Sequence, residues 1–194
     1  MSNGDINPFT RREVEHEGRV YFLFGTTGTG KTTLIKKYLK ALSKQKTLAF
    51  DIDNEYTEIT GKKFDRKKAK LEDQAAEFKG KVSELWEHNF VFSEAGIFFT
   101  HHEGYDMEMR EILKSARRRG NHVFFDFHSL SEIPIQMLKF CNYLIMKKTV
   151  METLPQIKKF AAYPEIIANY REVMKDKNIF ATKIIEPRKL IIDF

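Results

Sequence analysis

The sequence predicts a single α/β domain in which helices cover both faces of a mainly parallel sheet, a three-layer arrangement. Three observations carry this reading. Short aromatic and β-branched runs alternate with segments of helical periodicity. Parallel neighbours need crossovers of a dozen or more residues, and such alternation supplies them. A chain of 194 residues with 42% hydrophobic and 31% charged residues has the size and balance of one ordinary globular domain, which excludes disordered and collagen-like classes.

The elements follow in order. After a polar lead over residues 1–18, Arg19 to Phe24 is a buried strand that stops at Gly25. Leu34, Ile35, Tyr38, Leu39 and Leu42 place one apolar stripe on a helix over residues 32–43. Thr47 to Ile52 is the second strand, the charged stretch 61–88 reads as a mostly helical basic insertion, and Phe90 to Phe92 begins a third strand. Met109, Ile112, Leu113 and Ala116 mark a helix over 108–118 that ends at Gly120. His122 to Phe127 is the fourth strand, a short helix spans Pro134 to Phe140, and Tyr143 to Met146 is the fifth strand. Residues 150–194 then supply an amphipathic helix around Ile166 to Met174 and a terminal β-hairpin of 180–185 with 190–194. The whole chain, 1–194, reads as one domain.

No window approaches the roughly 18 consecutive apolar residues of a membrane span, and the polar start does not resemble a secretory signal, so the expected location is intracellular. The single cysteine, Cys141, sits in an apolar stretch and reads as core. His101, His102 and Glu103 lack a third ligand at a recognisable metal spacing. The net charge is +6, and residues 61–81 carry eight basic against four acidic side chains. Lys62, Lys63, Arg66, Lys67 and Lys68 are therefore the candidate DNA contacts, since a phosphate backbone recruits clustered positive charge. Trp86, with Phe64, Phe78 and Phe90, is placed either to stack on bases or to fill the core.

Between the first strand and the first helix stands Gly25-Thr26-Thr27-Gly28-Thr29-Gly30-Lys31-Thr32, which satisfies the phosphate-binding pattern G-x-x-x-x-G-K-[ST] in full. Glycines let the backbone curl so that successive N–H groups point at phosphates, and the helix that follows presents its positive end. Residues 25–33, including Thr33, are the nucleotide-binding candidates. Lys31 is expected on the β and γ phosphates and the Thr32 hydroxyl on Mg²⁺. Glu94, just beyond the third strand, stands where a carboxylate orients or deprotonates the attacking water. Ser93 takes the place of the usual Asp before it, leaving Asp51, Asp53 and Asp126 as carboxylates available to the Mg²⁺ shell.

These motifs, in this order, resemble the HerA/FtsK superfamily of P-loop ATPases. Phe50-Asp51-Ile52-Asp53-Asn54-Glu55-Tyr56 is similar to the D-x-x-G-E-Y after the family's second strand, with Asn54 for Gly. Ser93-Glu94-Ala95 is similar to its D-E-A. Arg117-Arg118-Arg119-Gly120 resembles the basic end of the helix before the sensor strand, and His128 falls at the sensor position. The resemblance, over residues 19–149, implies a P-loop NTPase sheet in the order 5-1-4-3-2 and ATP with Mg²⁺ as ligands. It also implies His128 as γ-phosphate sensor, one of Arg117, Arg118 and Arg119 as a finger reaching a neighbour's nucleotide, and a homo-oligomeric ring acting on double-stranded DNA.

Two branches match in size: the genome-packaging ATPases of membrane-containing double-stranded DNA viruses, and the zonula occludens toxin-like phage assembly ATPases, which normally carry a membrane span. The first implies location in the host cytoplasm or virion and a capsid or membrane-associated viral partner. A P-loop kinase using Asp51 or Asp53 on the acceptor and the arginine triplet as a lid, and a non-catalytic nucleotide switch, are the competing readings.

Overall fold

The computed structural model describes residues 17–42, 45–61, 70–99, 107–150 and 152–190. The first strand, β1 (Val20–Phe24), is buried at every position, as a strand covered on both faces must be. It leads through the glycine-rich loop into α1 (Lys31–Ala41) and then to β2 (Lys46–Phe50). A single turn, α2 (Thr57–Thr60), and α3 (Leu71–Glu84) precede β3 (His88–Phe92). A 3-10 turn over Ala95–Phe99 and α4 (Met107–Ser115) lead to β4 (His122–Phe127). Two further 3-10 segments, Leu130–Glu132 and Ile135–Phe140, reach β5 (Tyr143–Lys147). The chain ends with α5 (Leu154–Ile157), α6 (Pro164–Lys175), β6 (Thr182–Ile185) and α7 (Pro187–Leu190).

The strands lie in the order β2-β3-β4-β1-β5-β6. Read from the other edge, the first five have the expected 5-1-4-3-2 arrangement and are parallel, and β6 adds an antiparallel edge strand on β5. The terminal hairpin is corrected. Thr182–Ile185 pairs with β5, Pro187–Leu190 is helical where the hairpin's second strand is expected to begin, and residues 191–194 lie outside the described residues. Pro187 explains part of this, because proline suits the first turn of a helix and cannot donate to a ladder. The second strand also begins earlier and ends at Phe50, where Asp51 starts a turn.

Alternate residues of each strand go to opposite faces, and the two cores record it. Phe22, Phe24, Phe92, Phe125 and Phe127 pack toward α3, α4 and α6. Tyr21, Leu23, Val91, Phe124 and Ile145 pack against Ile35, Tyr38, Leu39 and Leu42, the buried stripe of α1. Aromatic rings fill the first core at close range, with Phe92 and Phe125 stacked at 4.6 Å and Phe50 meeting Phe98 edge-on at 4.9 Å. Phe78 and Phe90 belong to this core and are not available to bases, and Cys141 is buried as expected. No helix among the described residues is long and apolar enough to cross a membrane.

Connections from β1 and β4 leave toward opposite sides of the sheet, which opens a crevice at the carboxyl ends of these two neighbours. The glycine-rich loop follows one of them and His128 follows the other.

Candidate functional site

The loop after β1 is shaped by its glycines. Gly25 has φ 153°, and a Cβ there would come within 2.8 Å of the Lys147 side chain and 2.9 Å of the Lys148 carbonyl. Only glycine fits. Gly30, at φ 82°, caps the start of α1 in the left-handed region. The Gly25 N–H donates to the Phe127 carbonyl and the Thr26 N–H to the Lys148 carbonyl, so the loop is tied to both β4 and β5.

Lys31 is 7% exposed, and its Nζ donates to the Gly25 carbonyl while standing 3.6 Å from Asp126 Oδ1. The ammonium is thus held across the mouth of the loop before any phosphate arrives. Thr32 Oγ1 donates to Glu55 Oε2 at 2.6 Å. Glu55 is brought there by Asp51, whose two carboxylate oxygens accept the Glu55 N–H at 2.8 Å and the Tyr56 N–H at 2.7 Å. Asn54 takes the left-handed conformation in this turn, φ 58°, as short polar residues tolerate. The expectation for Asp51 is corrected accordingly: it builds the turn and does not line the cavity, whereas Glu55 and the exposed Asp53 do.

Glu94 sits in the left-handed region at φ 56°, a conformation that costs a non-glycine residue roughly 1–3 kcal/mol and that clusters at functional sites. The bend turns its carboxylate into the cavity, 2.6 Å from His128 Nε2. His128 is fixed through its backbone, donating to Glu132 and accepting from Thr149 Oγ1. Lys31, Thr32, Glu94, Asp126 and His128 therefore share one cavity of about 280 Å³ with Thr26, Thr27, Gly28, Gly30, Thr33 and Ser93. Among the described residues no group of three His, Cys, Asp or Glu forms a metal cage. The hard oxygens of Thr32, Glu55 and Asp126 suit Mg²⁺, which binds through one or two carboxylates together with substrate phosphates.

The arginines lie elsewhere. Arg117 pairs with Glu17 at 2.7 Å, Arg119 donates to the Ser83 carbonyl and lies over the Trp86 ring, and Arg118 is exposed. All three precede β4, while the cavity lies beyond its end, so the length of that strand, roughly 20 Å, separates them from their own subunit's site. A lid role within one subunit, the part the kinase reading gives these arginines, is thereby removed. Trp86 carries the Arg119 guanidinium on one face and is otherwise exposed. The candidate DNA contacts Lys62, Lys63, Arg66, Lys67 and Lys68, together with Phe64, His101, His102 and Glu103, lie outside the described residues.

Glu55, Lys147 and Phe180 line or support the site without having been singled out. Glu55 was visible within the D-x-x-G-E-Y-like run, but its contact with Thr32 depends on the Asp51 turn. Lys147 and Phe180 gave no local signal.

Burial pushes the Asp126 carboxyl up to about 7, with Lys31 and then His128 opposing the rise. Burial, then Arg19, holds the His122 imidazole down to about 4. The folded protein binds the Asp126 proton more tightly than the unfolded chain, so this group withdraws stability as pH rises from about 4 to about 7. His122 binds its proton less tightly when folded, so it adds stability as pH rises from about 4 to about 6.5. The two slopes oppose each other over one window. Asp126→Asn is expected to give a stability that climbs with pH between 4.5 and 6.5, and His122→Asn one that falls between 4.5 and 7.5. Urea midpoints across that range check the signs, and parallel profiles for the two variants would contradict them.

A phosphate-cradling loop at the carboxyl edge of a parallel sheet, with Lys31, Thr32 and a strand-end carboxylate around it, defines a P-loop NTPase. The sequence comparison gives the family: residues 14–152 match the family described as ABC transporter, and the chain belongs to it through this nucleotide-binding P-loop domain. No curated protein matches. Among solved structures, the fold is similar to B204, the DNA-packaging ATPase from Sulfolobus turreted icosahedral virus, at TM-score 0.66 and 17% identity, over 90% of this chain and 95% of that one. It is also similar to the genome-packaging NTPase B204 of Sulfolobus turreted icosahedral virus 2 in complex with AMPPCP, at TM-score 0.70 and 15% identity, over 89% and 94% of the two chains. The same NTPase in complex with AMP matches at TM-score 0.69 and 15% identity, over 89% and 94%.

Proposed function

We propose that this chain hydrolyses ATP as one subunit of an oligomeric motor that moves double-stranded DNA, in the manner of a viral genome-packaging ATPase. The observation that carries the hydrolytic part is Glu94, turned by its backbone into the cavity that holds Lys31 and Thr32. Curled N–H groups and Lys31 bind the β and γ phosphates. Thr32, with Glu55 or Asp126, would hold Mg²⁺, which would supply neutralisation of charge on the phosphate oxygens. Glu94 accepts the proton of the attacking water. His128 holds the Glu94 carboxylate beforehand and meets the γ-phosphate. Arg118, exposed just before β4 at the end of the strands away from the cavity, is the arginine free of the Glu17 and Trp86 contacts that engage Arg117 and Arg119, and we assign it the neighbour's nucleotide in a ring.

The DNA part is supported by the likeness of fold to packaging ATPases and by the basic run between β2 and β3. ATP turnover with and without double-stranded DNA tests it. Replacing Lys62, Lys63, Lys67 and Lys68 together by Ala is expected to abolish DNA stimulation and leave the basal rate unchanged. DNA affinity of the parent protein should fall steeply with salt, since each phosphate contact releases counterions. A rate indifferent to DNA, or transfer of the phosphate to a small acceptor, overturns the reading.

A further inference from the structure

The loop between α6 and β6 places two apolar side chains in solvent, Ile179 at 54% and Phe180 at 59% exposure. Large exposed aromatics are costly to leave in water, and this one has a defined location. Phe180 lines the same cavity as the glycine-rich loop, and a Cβ built on Gly30 would lie 3.5 Å from its ring. The ring therefore stands beside the turn from which α1 starts, at the rim of the phosphate cavity.

Its position is fixed from behind. Lys147, the last residue of β5 and 5% exposed, donates from Nζ to Thr182 Oγ1 at 2.8 Å and to the Phe180 carbonyl at 3.3 Å. Lys148 donates to the Met174 carbonyl at 3.3 Å and to the Asp176 carbonyl, at the end of α6. The Phe180 N–H donates to Asn178 Oδ1 at 2.9 Å. The residues that clamp this loop are next to those that anchor the phosphate loop, since the Lys148 carbonyl also accepts the Thr26 N–H. A buried ammonium used as a strut under an exposed ring holds that ring at a set height over the site.

From this arrangement we infer that Phe180 is the platform on which the nucleobase of the bound nucleotide stacks, with Lys147 as the residue that positions it. The inference rests on the nucleotide reading of the cavity. At about 280 Å³ the cavity is at the small end of ligand pockets, roughly 300–1,000 Å³. The phosphates and their cation fill it, and the base lies outside, at the rim where Phe180 stands. Stacking on an aromatic ring does not distinguish one base from another by hydrogen bonding, because every base has a π-face. The platform supplies affinity for a base and leaves the choice between adenine and guanine open.

The test compares ATP with inorganic tripolyphosphate, which has the phosphates and no base, by calorimetric titration of the full chain. Phe180→Ala is expected to weaken ATP about tenfold, within the range of one base stack, while tripolyphosphate binds as to the parent protein. Phe180→Trp is expected to keep ATP affinity, and in a Trp86→Phe background its fluorescence should be quenched by ATP and not by tripolyphosphate. Lys147→Met is expected to weaken ATP in the same selective way, with Phe180→Ala adding little to it. Equal ATP affinity of Phe180→Ala and parent overturns the platform alone. A parent protein that binds neither ATP nor tripolyphosphate overturns the nucleotide reading beneath it.

Discussion

Glu94→Gln is expected to lower the turnover of ATP by about 10²- to 10⁴-fold, the usual worth of a positioned general base. Binding of ATP should be nearly unchanged, because glutamine has the same shape and, in the proposed mechanism, the carboxylate serves the attacking water and not the phosphate loop. The backbone at this position is left-handed and bonded to Ile97, so the substitution does not disturb the bend that aims the side chain. The measurement is kcat beside the Kd for ATP, with the urea midpoint as a control for folding. A variant that keeps a rate within about tenfold of the parent removes Glu94 from the mechanism.

Lys31→Ala is expected to lose on the order of 10²- to 10³-fold in kcat/KM, the scale seen when one preorganised charge donor is removed from a developing anion. Here binding should fail as well as chemistry, since the proposed role of Lys31 is to face phosphate in both ground and transition states. The same change removes the cation beside buried Asp126. That carboxyl, already pushed up to about 7 by burial, then holds its proton more tightly, so a neutral acid remains in place of an unpaired charge. The variant should therefore fold, with a steeper loss of stability between pH 6 and 8 than the parent. Steady-state kinetics and pH-dependent denaturation read the two effects separately.

What could be read from the chain in advance follows the range of the interactions concerned. The parallel strands are legible because β1 is a continuous apolar run and β4 is one interrupted only by Asp126 after His122, and the phosphate loop because glycine placement is dictated within eight residues. β2 ends two residues before the sequence predicts, since Asp51 and Ile52 look like strand and the turn is made by Asp51 binding amides further on. Read locally, a β-branched run pairs with its nearest neighbour in the chain, whereas β6 pairs with β5, some forty residues earlier. Glu55 beside Thr32 and Phe180 beside Gly30 depend on such docking, and no local spacing announces them. Glu94 stood out as a strand-end carboxylate, although its left-handed backbone did not.

The two-residue repeat of β4 has a consequence for how this protein can change. Phe125 and Phe127 enter the aromatic core, while Asp126, between them, reaches Lys31 on the other face. Core and candidate site are thus written in alternating letters of one short word. A single inserted or deleted residue within His122–Phe127 would send a carboxylate among the phenyl rings and a phenyl ring toward the phosphates. Variation in this strand is confined to substitutions, and length changes have to be absorbed before His122 or after His128, where the chain has already left the ladder.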